Sequence, residues 1–176
     1  QGNYEAQHAL GWMYANSVGV SQDYLKARQW YEKSANQGNS SSQWMLGQMY
    51  ANGEGVPQDY VKARQWYAKS ANQGNSVAQN DLGKMYYYGN SISQDYSKAF
   101  EWYTKSANHG NSDAQYMLGQ MHENGKGVPQ DYAKARQWYE KAVDQGSISA
   151  QYKLGLMYAN GKGVRQNKAI AKEWFG

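Results

Sequence analysis

The chain has 176 residues, 40% of them hydrophobic, enough for one ordinary domain or a short repeat array with a packed core, which argues against disorder. Its 18 Lys and Arg against 14 Asp and Glu leave a net charge of +4 without any basic run, so charge alone does not imply nucleic acid, and the lack of cysteine excludes disulfides, thiolate metal sites and Cys nucleophiles. No stretch approaches the roughly 18 consecutive apolar residues of a membrane span, and the opening QGNYEAQHAL lacks the basic start and apolar run of a leader. The compartment stays open between cytoplasm, periplasm and exterior, since a leader already removed leaves no trace.

From its first residues the chain repeats. Gly2, Gly38, Gly74, Gly110 and Gly146 stand 36 apart, as do Leu10-Gly11, Leu46-Gly47, Leu82-Gly83, Leu118-Gly119 and Leu154-Gly155. The same step carries Met13 to Met49, Met85, Met121 and Met157, and Trp30 to Trp66, Trp102, Trp138 and Trp174. Such a period decides architecture. It predicts one repeat domain over 1–176, with units at about 2–37, 38–73, 74–109, 110–145 and a truncated 146–176.

The first unit begins directly on a first helix and carries KARQWY at 26–31, a hexapeptide that returns at 62–67 and 134–139. The second unit serves as reference. Over Asn39 to Gly53, Ser42, Leu46, Met49 and Tyr50 fall on one helical face. Ser40 with Gln43, like Ser76 with Gln79 and Ser112 with Gln115, has the spacing of a capping box. Gly53 supplies a left-handed stop and GEGVPQ the connection. A second helix then starts at Asp59 as N-cap, places Ala63, Trp66, Tyr67, Ser70 and Ala71 on one face, and ends at Gly74. Gly47 marks a place where the two helices approach too closely for a side chain. A hairpin of this kind cannot bury both apolar faces alone, so neighbours stack into an all-α, α/α superhelical solenoid with no strands. Trp66 and Tyr67 fall on the buried stripe with Lys62, Arg64 and Lys69 outside it, which disfavours base stacking by a shared aromatic and basic surface.

The third unit departs most: Ser91 replaces a loop glycine and Phe100 the usual Arg. In the fourth, His122 stands where other copies have Tyr, and GQMHENGKGV (119–128) only superficially resembles a phosphate loop, its glycines being repeat positions. The fifth has Asn167-Lys168 for Asp-Tyr and stops at EWFG. Neither end carries an atypical polar repeat, so a fragment of a longer array, covered ends or self-association through them is expected.

The consensus AQ..LG.MY.NG.GV.QDY.KA..WY.K.A..G resembles the Sel-one-like repeat family, relatives of the tetratricopeptide repeat. The likeness is carried by Ala78-Gln79, Leu82-Gly83, Met85-Tyr86, the loop Gly53-Glu54-Gly55-Val56, Asp59-Tyr60, Lys62-Ala63, Trp66-Tyr67 and Gly74. It implies an α/α superhelix whose first helices line a concave face used mainly to bind other proteins, in bacterial signalling, envelope and host interaction, and in eukaryotic degradation complexes. Some members staple each hairpin with a disulfide; this chain relies on packing alone.

Positions that differ between units are free for purposes other than the scaffold. In the first helix they are Glu5, Ser41, Val77, Asp113 and Ser149; His8, Trp44, Asn80, Tyr116 and Tyr152; Trp12, Gln48, Lys84, Gln120 and Leu156; and Ala15, Ala51, Tyr87, Glu123 and Ala159. These rows form one stripe beside the apolar one. His8, Trp12, Trp44, Gln48, Asn80, Lys84, Tyr87, Tyr88, Tyr116, Gln120, Glu123 and Tyr152 are the candidate groove residues, aromatic anchors among adaptable polar groups. Packing of Trp12 and Trp44 between units is the competing reading. The third unit, with Lys84, Tyr87 and Tyr88, is the first choice for a specificity element, with drift of one copy as its alternative.

His8, His109 and His122 occupy unrelated places without partners at metal spacing, and no nucleophile pairing or carboxylate couple is visible, so no cofactor, metal or enzymatic activity is expected. The expected function is a non-enzymatic scaffold binding a protein or peptide, an envelope immunity protein being one case within that class. The alternative is a small ligand or cell-wall glycan.

Overall fold

The computed structural model describes residues 2–90 and 92–176; the Ser91 substitution lies outside the described residues. Among them are ten helices and no strand: α1 Tyr4–Asn16, α2 Tyr24–Asn36, α3 Ser40–Asn52, α4 Tyr60–Asn72, α5 Ser76–Tyr88, α6 Tyr96–Asn108, α7 Ser112–Asn124, α8 Tyr132–Asp144, α9 Ile148–Asn160 and α10 Lys168–Phe175. The helices fall into two compact units, Gln1–Leu82 and Gly83–Gly176.

The second helices start as their sequence predicts. Asp23, Asp59, Asp95 and Asp131 adopt extended backbone and accept from the amide three residues on, and Asn167 caps α10 in the same way. The first helices do not start as predicted. The cap of α3 is Asn39, whose Oδ1 accepts from Ser42 N at 2.7 Å, and Asn75 and Asn111 act alike at 3.0 and 2.9 Å. Ser40 is already helical. Gln43 reaches outward instead, its Nε2 donating to Ala35 O of α2 at 3.2 Å, as Gln79 does to Ala71 O at 3.1 Å and Gln115 to Ala107 O at 3.3 Å. The glutamine thus adds a second hydrogen bond to a carbonyl that already accepts from the backbone amide of Gly38, Gly74 or Gly110 at 3.0 Å, and so ties the end of the preceding helix to the next first helix.

The glycine expected at the tight crossing is where the hairpin closes. A Cβ on Gly47 would run into the ring of Tyr67, and one on Gly11 would lie 2.6 Å from Tyr31 Cδ1. Those tyrosines are the centre of the core: Tyr31, Tyr103 and Tyr139 are fully buried. In the first compact unit Tyr31 packs with Ala27, Ala35, Leu46 and Met49; in the second, Tyr103 with Leu118 and Met121, and Tyr139 with Leu154 and Met157. Each cluster joins the second helix of one repeat to the first helix of the next, so burial that a lone hairpin lacks is supplied by its neighbour, roughly 1.5–3 kcal/mol for each fully buried large side chain.

The separation expected between aromatic and basic residues does not hold. The repeated Trp is only half-buried, and a lysine three residues on covers its ring: Lys33 over Trp30, Lys69 over Trp66, Lys105 over Trp102 and Lys141 over Trp138, at 4.1–4.2 Å. The long lysine stem reaches across from the neighbouring face and places the ammonium on the ring quadrupole.

Candidate functional site

Within Gln1–Leu82 the variable first-helix positions divide into tethered and free residues. Trp44, half-buried on α3, donates from Nε1 to Asp81 Oδ2 on α5 at 2.8 Å, and Gln48 donates from Nε2 to the same oxygen at 3.0 Å. His8 Nδ1 lies 2.8 Å from Ser42 Oγ, with its ring 5.5 Å from that of Tyr31, and burial lowers its pKa, favouring the neutral ring. Trp12 is 46% exposed, whereas Asn80, expected on the binding stripe, is 2% exposed.

Within Gly83–Gly176 the stripe carries the charges of Lys84, Asp113 and Glu123. Tyr87 is 7% exposed and so belongs to the core; it packs edge-on against Tyr88 and Tyr96 at 4.9 and 5.2 Å between ring centroids. Its hydroxyl accepts from Lys126 Nζ at 3.1 Å, and that ammonium also lies over the Tyr96 ring. Tyr88 is 59% exposed beside this cluster, and Lys84 is half-buried. One repeat further, Tyr116 accepts from Gln120 Nε2 at 2.8 Å. Glu123 Oε2 accepts from Tyr139 OH at 2.6 Å and Lys153 Nζ at 2.9 Å. Burial alone would raise the Glu123 carboxyl, but hydrogen bonds from Tyr139 and Lys153, with the charges of Lys153 and Lys162, outweigh it and hold the pKa below the usual range. Burial, reinforced by Glu123, pushes the Tyr139 hydroxyl far up. Tyr152 is 57% exposed.

The structure therefore ties Trp44 and Gln48 to Asp81 and Gln120 to Tyr116, moves Asn80 and Tyr87 into the interior, and leaves Trp12, Tyr88 and Tyr152 as the outward aromatics of the candidate set. The partners that do the tying were missed. Asp81 and Lys153 belong to the row Ala9, Met45, Asp81, Met117, Lys153, where two charges among small and apolar residues are the available signal. Among the described residues no cluster of His, Asp and Glu could hold a metal ion, and no helix is long and apolar enough to cross a membrane. The stripe offers aromatic faces, amides and ordered charges, which is the chemistry of non-covalent recognition.

Helix hairpins of this repeat, joined by packing between consecutive repeats, define an all-α protein of the α/α solenoid class. The Sel1 repeat model matches residues 5–39, 40–75, 76–111, 112–147 and 148–176, and the chain belongs to that family, whose members are generally protein-interaction scaffolds. The family read from the repeat consensus is the same one. A protective antigen of uropathogenic Escherichia coli with this fold is similar at 39% identity and a TM-score of 0.96, over 99% of this chain and 37% of its own. A Sel1 repeat protein of Oxalobacter formigenes is similar at 33% identity and a TM-score of 0.93, over 98% of this chain and 71% of its own. The cysteine-rich protein B of Helicobacter pylori shares the fold alone, at 24% identity and a TM-score of 0.59, over 77% of this chain and 96% of its own. No curated protein matches the chain. The chain thus spans little more than a third of the length of the Escherichia coli antigen.

Proposed function

We propose that the chain is a non-enzymatic scaffold that binds a protein or peptide on its first-helix stripe, in bacterial signalling, at the envelope, or towards a host or competitor. One observation carries this reading: aromatic residues that the repeat does not demand are either exposed, as Trp12 and Tyr152 are at freely varying positions and Tyr88 is where the other repeats have Asn, or oriented by side-chain hydrogen bonds, as Trp44 is by Asp81. Rigid aromatics with oriented amides and charges beside them have the make-up of interface anchors. Trp12, Trp44, Tyr88 and Tyr152 come from four different repeats, which favours a protein or peptide over a ligand that one repeat could hold.

The test is affinity capture from lysate and envelope extract with the chain and with its Trp12→Ala/Tyr88→Ala/Tyr152→Ala variant, both checked for helicity. A protein held by the first and lost by the second supports the reading; capture indifferent to the three substitutions contradicts it. A cell-wall glycan is the second reading, favoured by the exposed Tyr88 beside Tyr87 and the Lys126 ammonium. A sugar would depend on that repeat alone, whereas a protein would use several.

A further inference from the structure

Four of the second helices begin with an acid and a lysine in contact: Lys26 with Asp23 at 3.4 Å, Lys62 with Asp59 at 3.5 Å, Lys98 with Asp95 at 3.4 Å and Lys134 with Asp131 at 3.8 Å. In the first three the lysine also lies over the tyrosine near the end of the first helix, Tyr14, Tyr50 or Tyr86, at 5.4–5.5 Å. Aspartate, lysine and tyrosine together occupy the angle between the interhelix loop and the first helix.

The fifth repeat breaks this arrangement at three places. Asn167 replaces the aspartate, Ile170 replaces the lysine, and Arg165 stands where the other loops have Ser21, Pro57, Ser93 and Pro129. Beside the Asn167 cap and Ile170, an open pocket of about 490 Å³ is lined also by Arg136, Tyr158 and Arg165, with no carboxylate among its lining residues. Arg136 Nε is shut off from solvent and makes no hydrogen bond among the described residues, as is true of Arg28 and Arg64. Its nearest acid oxygen, Glu140 Oε1, is 3.7 Å away, too far for a hydrogen bond, on a half-exposed side chain. Only at Arg136 does the facing loop add a second guanidinium and lose its acid.

We propose that this pocket binds the carboxylate of an acidic peptide, held between the guanidinium groups of Arg136 and Arg165 with the Asn167 amide beside it. The charge of the capping aspartate in the other repeats is missing here while two guanidinium groups line the pocket, which favours an anion, and the planar guanidinium fork matches a carboxylate. The Ile170 and Tyr158 side chains give the pocket an apolar wall for the ligand's carbon stem. This site lies apart from the first-helix stripe and stands or falls independently of it.

The test is calorimetric titration of the full chain with an N-acetylated tetra-aspartate amide and, separately, with inorganic phosphate. The peptide is expected to bind saturably and to weaken about tenfold in Arg165→Ala. It is expected to weaken as much in Asn167→Asp/Ile170→Lys, which rebuilds the acid and lysine that the other repeats already carry. Lys69→Ala, on the outer face, should leave binding unchanged. Equal peptide affinity in the parent chain and both pocket variants overturns the site. So does an equal loss in Lys69→Ala, which would mark general charge attraction, and tighter binding of phosphate overturns the carboxylate assignment.

Discussion

Trp44 on α3 donates its indole N–H to Asp81 on α5 at 2.8 Å, so a residue free to vary between repeats is fixed by an acid that only one repeat has at that position. Gln48 shares the same carboxylate oxygen. Sequence alone leads one to expect that Trp44→Ala leaves stability nearly unchanged. The hydrogen bond and partial burial revise that: Asp81→Ala should cost about 1–3 kcal/mol by leaving a half-buried N–H unpaired. A double-mutant cycle of Trp44→Phe with Asp81→Ala in urea denaturation should show coupling of about 1 kcal/mol or more, and additivity would show the bond to be idle.

Gly47→Ala should destabilise the chain by about 1–3 kcal/mol, because the new methyl meets the Tyr67 ring, which has no room to retreat within the core. Thermal unfolding reads this directly, and an unchanged melting temperature would mean the hairpin can open at no cost.

Ser17 ends α1 in the left-handed region, at φ 58°, where α3, α7 and α9 use glycine. Ser17→Gly should therefore stabilise by about 0.5–1 kcal/mol, the relief of backbone strain exceeding the extra entropy of the unfolded glycine. Urea midpoints of the two chains compare them.

The Glu123 carboxyl is held below its ordinary value, so the unfolded chain takes up the proton more readily and stability is lost as the pH is lowered. Its contribution is complete above the unfolded pKa near 4.5 and is lost as pH drops through the lower folded value. The capping Asp23, Asp59, Asp95 and Asp131 are lowered too, chiefly by backbone hydrogen bonds, and act in the same direction. The difference between the parent chain and Glu123→Gln isolates the one group. That difference should be constant at neutral pH and shrink below about 4.5; a difference independent of pH contradicts the assignment.

The hairpin, its crossing glycine and its aspartate caps were legible because each depends on residues close in sequence or repeated at a fixed step. The start of the first helix was not. Asn39 and Ser40 are both good caps, and only the extended backbone of Asn39 decides between them. Variation between repeats found the stripe but could not distinguish an exposed Tyr88 from a buried Tyr87, or a solvated Asn80 from an interior one, since free choice of residue is not exposure. Asp81, Lys126 and Lys153 escaped because their importance lies in hydrogen bonds to residues 30 to 39 positions away, which no local pattern records.

The most direct test of the binding role of the first-helix stripe is titration of a captured partner against single variants on its two sides. The account predicts that Trp12→Ala, Tyr88→Ala or Tyr152→Ala weakens the partner by about tenfold or more for at least two of the three. It also predicts that Lys69→Ala and Lys141→Ala on the outer face leave affinity unchanged and that salt has little effect. Loss confined to the outer lysines, with steep salt dependence, would contradict it and place recognition on the basic side of the second helices.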